Sequence, residues 1–499
     1  PKGTASISHR SASRFRWHGH TPTASGSSYR PANHPNGLSV RPLRHPSTPE
    51  RRSKPHFSAS DGALTYFWAI RSPNPSVVEN PVKTKSVFKK RLKRILLFIL
   101  LTPVVLSVLG AVAYFAYASL ALGGESTPHQ QYLSQNMEAV DAEKPGNFKL
   151  FDKDFYQNRI FLLGESHGFA APQSLDLALL KHLHTKADVR YYLAEVDYAQ
   201  AHFLNEYLRT GNDSLLRYVF ETWVRENAQW GNRQFYEKIV KIRAWNQSLP
   251  AENRVRFVGV DKIQDWEVIR RFLREWLAAN KVSGLDALRQ AAENPKFDKN
   301  GLYAAAESLL DTVMLHNPLA SLTQPKRDTL LHLLQNIRHH QQRFPRDSVM
   351  YLNLKALTGI QPELKNAKMY GLWGFTHTLP GSVNGGYRPF ASLLRSPGSP
   401  FRQQVVALGT YAIDSENMIP GRELPKGFTK GKPYVNIPWA NSDGPLIFVN
   451  GIKDLVAVTR LNTVTLFKLN GKDSPYFASD RLTRTKVLIP GQSLEADQP

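Results

Sequence analysis

Hydrophobic and polar positions alternate in blocks along this chain, and the blocks predict its elements. Seven short apolar runs stand apart at Ile160–Leu163, Tyr191–Val196, Arg256–Val260, Met369–Gly374, Gln403–Leu408, Leu446–Val449 and Thr463–Phe467. Each has the length of a buried strand. Helical stretches lie between most of them, and that alternation predicts a largely parallel sheet with helices on both faces. The expected fold class is α/β, a three-layer α/β/α arrangement. The interval from Lys262 to Ile360 has no strand pattern and reads as helices, among them Ile263–Ala279 and Arg327–Gln342. It predicts a helical insertion at about residues 262–345, lying over the sheet.

One apolar block is of another kind. From Ile95 to Gly124 the chain carries no charge, directly after Lys89-Lys90-Arg91-Leu92-Lys93-Arg94. The run exceeds the roughly 20 residues that cross a bilayer. Cations before it and none just after it place the N-terminal side in the cytoplasm. Residues 83–94 are thus a basic flank, 95–122 an uncleaved transmembrane anchor in the lipid bilayer of an inner or plasma membrane, and 123–145 a polar linker. The α/β domain, residues 146–475, is expected to be extracytoplasmic and periplasmic, followed by a C-terminal tail at 476–499. The competing reading, a cleaved signal peptide, suits a hydrophobic run of this length less well.

Residues 1–82 are rich in Ser, Pro, Arg and His and are expected to be a disordered basic tail. Val82-Lys83-Thr84-Lys85 reads as the opening of a signal-anchor sequence with Val82 as an alternative start. On that reading residues 1–82 would lie outside the natural product.

Composition narrows the chemistry. No Cys occurs in the 499 residues, which excludes disulfides, thiolate metal sites and a Cys nucleophile. The net charge of +23 is concentrated at one end: residues 1–94 hold 18 Lys and Arg against 3 Asp and Glu, and the rest of the chain 46 against 38. No nucleic-acid partner is expected, because no binding motif accompanies the charge.

In open α/β sheets ligands bind beyond the carboxyl ends of the strands. The first run leads into Gly164-Glu165-Ser166-His167-Gly168, the second into Glu195 and Asp197, the third into Asp261 and the fourth into His377. Asp197 and Asp261 alone would pass as helix caps. Glu195 inside an apolar run is harder to dismiss, since a buried carboxylate is costly unless paired. Glu165, His167, Glu195 and His377 are therefore the candidate catalytic set. There is no Gly-x-Ser-x-Gly elbow, no His-Glu-x-x-His and no phosphate loop. His182, His184, His202, His332, His339 and His340 lie on expected helices and read as surface residues.

These motifs resemble, in order, those of the erythromycin esterase-like family. Gly164 to Gly168 resembles its first signature, though only Ser166 separates Glu165 from His167. That shorter form also resembles the haem-binding, iron-regulated lipoproteins of the same broader fold. Leu193-Ala194-Glu195-Val196 with Leu204-Asn205-Glu206-Tyr207-Leu208 resembles the second, and Val258-Gly259-Val260-Asp261 the third strand. Arg346-Asp347-Ser348-Val349-Met350-Tyr351-Leu352-Asn353 resembles an Arg-Asp/Glu helix, and Trp373 with His377 a strand end.

The resemblance implies metal-independent hydrolysis of a small-molecule ester or lactone without a cofactor. It makes His167 the general base, with Glu165 and Glu195 holding its tautomer or the water. His377 would contact the carbonyl oxygen or leaving group. Arg346 would stabilise developing charge or anchor a carboxylate. Arg346, Asp347, Asp261, Trp373 and Ser166 are the expected substrate-binding or supporting residues. For Arg346 and Asp347 a plain helix-surface or capping pair is weighed nearly equally, and Trp373 reads more readily as core. The alternatives are a haem- or metal-binding envelope protein of this fold and a catalytically inactive ligand-binding scaffold.

Overall fold

The computed structural model describes residues 82–142, 148–316, 319–488 and 493–495. The chain divides into Pro1–Lys83 and Thr84–Pro499, and the architecture below is that of the second unit. The disorder expected for residues 1–82 lies outside the described residues, Val82 apart.

Five strands form one parallel sheet: Ile160–Glu165 (β1), Tyr191–Ala194 (β2), Arg256–Gly259 (β3), Met369–Gly374 (β4) and Val405–Gly409 (β5). Their spatial order is β3-β2-β4-β1-β5. Alternate side chains enter two cores, as the pleat requires. Phe161, Leu163, Tyr192, Phe257 and Tyr370 face a thick helical layer. Ile160, Leu162, Leu193, Val258, Met369 and Trp373 face the other side. The expected three-layer α/β/α arrangement is what the chain forms.

The thick layer includes Ala171–Ala187 (α3), Tyr198–Thr210 (α4), Asp213–Arg225 (α5), Arg233–Gln247 (α6), Trp266–Ala279 (α7), Asp286–Glu293 (α8), Lys299–His316 (α9) and Gln324–Gln341 (α10). Opposite lie Arg346–Ile360 (α11) and the short helix Phe390–Leu394. Among the described residues between β3 and β4 there is no strand. Local signals explain several boundaries. Asp197 and Gln200 form a capping box at the start of α4, and Gly211 ends it at φ 74°. The Asn205 amide exchanges two 2.8 Å hydrogen bonds with the backbone of Phe257, covering the free edge of β3.

Three expectations are corrected. The runs at Leu446–Val449 and Thr463–Phe467 do not join the parallel sheet. Ile447–Val449 pairs antiparallel with Thr485–Val487, and Val464–Phe467 with Met137–Val140. Residues 123–145 are more than a linker, for they contain helix Thr127–Gln135 (α2) and the strand Met137–Val140. Residues 476–499 are more than a tail, because the strand Thr485–Val487 belongs to this small antiparallel unit.

That unit holds the end of the apolar helix Val82–Ala121 (α1). Through Lys89–Ala121 α1 is long and apolar enough to cross a membrane, and its most apolar stretch is unburied. Its last turns are different. Tyr114, Ala118, Ala121 and Leu122 pack with Phe448, Val449, Ile452, Leu455 and Leu482. Arg481 donates to the Gly123 and Gly124 carbonyls and to Asp454, which also accepts from the Ser126 N–H. The helix therefore leaves the folded part through a built joint.

Two glycines test the packing in opposite directions. A Cβ on Gly371 in β4 would stand 1.8 Å from the Leu193 carbonyl oxygen, whereas one on Gly359 in α11 would meet nothing within 4 Å. Gly371→Ala is expected to lower the thermal unfolding temperature of the detergent-solubilised chain by circular dichroism. Gly359→Ala is expected to raise it slightly, by the ~0.5–1 kcal/mol that Ala gains over Gly in a helix.

Candidate active site

Adjacent strands deliver adjacent side chains. Sheet order places the ends of β3, β2, β4 and β1 side by side, bringing Asp261, Glu195, His377 and His167 to one rim. Glu195 is the first residue beyond β2 rather than within it.

The centre of the rim is a guanidinium. Arg346, at the start of α11, donates twice to Asp261, at 2.9 and 2.6 Å, and once to Glu195 Oε1 at 2.8 Å. Asp261 is fully buried. Glu195 uses its second oxygen to accept the Gly374 N–H at 2.6 Å. Burial would push the Glu195 carboxyl up, but His377, Arg346, His167 and that N–H hold it down at about 2. Arg346 is held above its ordinary value: burial alone would lower it, and Asp261 and Glu195 outweigh that.

Two carboxylate–imidazole pairs flank this centre. Glu165 Oε1 lies 3.2 Å from His167 Nδ1, and Gln173 on α3 donates to both Glu165 oxygens. Asp347 lies 2.8 Å from His377 Nδ1 and accepts the Phe390 N–H at 2.6 Å. A carboxylate at Nδ1 holds the proton there and leaves Nε2 for chemistry. The His377 Nε2 lies 3.3 Å from an Arg346 terminal nitrogen and 3.5 Å from Glu195. Both rings converge on Gly374, where a Cβ would lie 3.2 Å from His167 Nε2 and 3.4 Å from His377 Cδ2. The two imidazoles thus meet at one glycine of the rim, whose missing side chain lets both approach it. His167 is the more open ring, its side chain 28% exposed against 13% for His377.

Both imidazoles have raised pKa values. For His167 burial pulls down, and Glu165 with Glu195 overcomes it. For His377 burial again opposes, and Glu195 with Asp347 prevails. Four carboxylates against one guanidinium make the rim a place where imidazolium is favoured.

The supporting residues fall out unevenly. Arg346 and Asp347 are neither a surface pair nor a cap, since both reach across the sheet edge. Asp261 is an anchor for Arg346 rather than only a cap. Asp197 is the cap that its position suggested, and burial with neighbouring Asp261 pushes it up to about 7. Trp373 is buried and stacked on Phe390, 4.7 Å between ring centroids, so it is core. Ser166 is exposed at the turn. Of the helical histidines read as surface residues, His182, His332 and His339 are buried, a correction that follows from the depth of the helical layer. Sequence reasoning missed Gln173, Trp230, whose ring meets His167 at 5.4 Å, and Asn417, which donates to the His167 carbonyl at 2.9 Å. It also missed Tyr387, whose hydroxyl faces Asp347. None of these belongs to a local motif. Among the described residues no group of three or more His, Asp and Glu is disposed to hold a metal ion.

No family model matches the chain, and no curated protein does. Solved structures similar to it include a protein from Bacillus cereus, 16% identical, covering 59% of this chain and 76% of its own, with a TM-score of 0.45. Another is an erythromycin esterase mutant in its open conformation, 14% identical, covering 61% of this chain and 83% of its own, at 0.43. A third is ChaN of Campylobacter jejuni with cofacial heme, 14% identical, covering 61% and 97%, at 0.26. These values do not establish membership in the erythromycin esterase-like family, and the chemistry below rests on the residues.

Removing the central cation would leave buried Asp261 without its ion-pair partner and Glu195 paired with His377 alone. Arg346→Met is expected to cost about 3 kcal/mol, the low end for breaking a buried pair because the Arg346 side chain is itself 37% exposed. Urea unfolding of the solubilised chain measures it. Arg346→Lys should recover only part, since one ammonium cannot span both oxygens of Asp261.

Proposed function

We propose that this chain is a membrane-anchored hydrolase in which His167 activates water against the carbonyl of an ester or lactone. The observation that carries the reading is the pair of carboxylate-held imidazoles converging on Gly374. The Nε2 of neutral His167 takes a proton from water as the water oxygen bonds to the carbonyl carbon, and the C=O electron pair moves onto oxygen. His377, held by Asp347 and Arg346, faces that oxygen from the other side of the crevice. Collapse of the tetrahedral intermediate breaks the C–O bond to the leaving alcohol, which takes the proton back from His167. Glu165 stabilises the imidazolium meanwhile. Glu195, committed to Arg346 and the Gly374 N–H, serves by fixing the rim rather than by exchanging protons.

The anchor reading rests on α1 and its joint. Lys89 to Arg94 precede the apolar stretch, and the helix end is built into a hydrophobic cluster and an Arg481–Asp454 pair. Cleavage there would expose Leu122 and its neighbours, which favours retention. By the charge rule the α/β part lies outside the cytoplasm.

The test is turnover of an ester library by the full chain in detergent or vesicles. His167→Asn should abolish turnover with the fold intact, whereas chelator should leave turnover unchanged. Turnover surviving in His167→Asn would sink the proposal. Loss with chelator would point to a metal enzyme, and a Soret band on purification to haem binding.

The pH profile gives a sharper check. A neutral base acts above its pKa, and Glu165 raises that of His167. Glu165→Gln should therefore move the rising limb of kcat/KM to lower pH while reducing the plateau, about 10²-fold. A limb that stays in place would show that His167 is not the titrating base.

A further inference from the structure

The residues after β5 include a feature that the hydrolytic site does not use. Asn417–Pro420 and Tyr434–Ile437 form an antiparallel hairpin. Its connection carries Phe428, 57% exposed, whose ring meets the exposed ring of Trp439 edge-on at 5.6 Å. Around Phe428 stand exposed Arg422, Lys426, Lys430 and Lys432, with Glu423 the one carboxylate between Gly421 and Pro433. An apolar ring pair set among cations is not a core in waiting. It has the composition of a surface that meets an apolar layer with anionic headgroups.

Its place in the fold identifies that layer. The Trp439 carbonyl accepts from Leu446 N–H at 3.0 Å, and the next carbonyl back, that of Pro445, accepts from Tyr114 of α1 at 3.2 Å. Phe428 and Trp439 are therefore one strand pair away from the apolar helix. Counted from Ile95, twenty residues of helix, ~30 Å, reach Tyr114. Tyr114 and Tyr117, whose rings meet Phe448 tilted and edge-on respectively, thus stand where a spanning helix leaves the hydrocarbon, the depth at which aromatic side chains gather. The exposed ring pair flanks that same depth.

We propose that the β hairpin 417–437 with Trp439 is a second membrane contact. Phe428 and Trp439 enter the headgroup region of the bilayer that α1 crosses, and Arg422, Lys426, Lys430 and Lys432 meet anionic lipid phosphates. The inference rests on the anchor reading above. It has a consequence for the site, because the base of the same hairpin is bonded to it. Asn417 donates to the His167 carbonyl, and the Met418 N–H to the Gly168 carbonyl at 3.0 Å. A hairpin lying on lipid holds one wall of the His167 crevice at the membrane surface.

The absence of Cys makes a direct test available, since Phe428→Cys would carry the chain's sole thiol. The full chain labelled there with an environment-sensitive fluorophore is reconstituted into phosphatidylcholine vesicles with and without phosphatidylglycerol. A control probe is placed at exposed Glu363→Cys, before β4 at the opposite strand ends. The expected result is a blue-shifted emission at 428, quenched by lipids with a shallow nitroxide and strengthened by phosphatidylglycerol, with 363 unchanged. Lys426→Glu/Lys430→Glu/Lys432→Glu in the same background should remove the phosphatidylglycerol dependence. A water-like emission at 428, or equal quenching at 428 and 363, overturns the proposal. So does a blue shift that ignores nitroxide lipid and grows with protein-to-lipid ratio, which would mean that a second copy covers the patch. Flotation separates the two readings: a chain that floats while position 428 stays wet loses the hairpin contact and keeps the anchor, and a chain that does not float loses both.

Discussion

The fork of Arg346 across Asp261 and Glu195 is the interaction on which the rest of the rim depends. Each carboxylate follows a different strand, β3 and β2, and the guanidinium comes from α11 on one face of the sheet. Two carboxylates so deeply placed are tolerable only with a cation and full hydrogen bonding. Their pairing with Arg346 also fixes where α11 begins. The next residue, Asp347, is thereby aimed at His377 Nδ1, and the guanidinium itself meets His377 Nε2. Asn353, two turns along α11, seals the placement by donating to the Val260 carbonyl at 2.8 Å. A single ion cluster thus determines helix position, ring orientation and tautomer together.

A second constraint is a gap in the sheet. The ladder between β2 and β4 covers only Tyr191 with Met369 and Tyr192 with Tyr370, although β4 continues to Gly374. Side chains take over the donors that the ladder abandons. The Leu372 N–H donates to the Tyr192 hydroxyl at 3.2 Å, and the Gly374 N–H to Glu195. Tyr192 is in turn held by Asp176, which is ion-paired with buried Lys238. The crevice exists because β2 and β4 part here, and backbone donors left at such a parting need partners.

These two facts explain what the sequence could and could not reveal. Glu165, His167, Glu195, Asp261 and His377 were legible because each sits just beyond an apolar run, and strand ends in such sheets share a rim. The cores of β1 and β4 were equally legible, being continuous apolar runs of strand length. What failed were features with no periodic signature. The runs at 446–449 and 463–467 look like sheet strands, yet they pair antiparallel with Thr485–Val487 and Met137–Val140, partners of three and four residues, too short to read as strands. Gln173, Trp230, Tyr387 and Asn417 reach the site through tertiary folding alone. The weight of Arg346 was undecidable from its position on a helix, because only the arrival of two strands from elsewhere turns it into the centre of a cluster.

The charge balance then assigns the two histidines different work. Glu165, Glu195, Asp261 and Asp347 surround a single guanidinium, so either ring gains by taking a proton. His377 is wedged between Asp347, Arg346 and Glu195 with little exposure, and a proton there is stabilised by Glu195 and Asp347 against the opposing effects of burial and Arg346. His167 has one close carboxylate and an open edge toward Trp230 and solvent. A base must release its proton each cycle, which requires access, and His167 is the more exposed of the two rings. His377, more enclosed and more tightly held, is suited to stabilise charge that develops on the substrate oxygen. The asymmetry follows from strand order: β1 brings His167 to the rim on the side of β4 away from the gap, whereas β4, which borders the gap, delivers His377 directly into the Arg346 cluster.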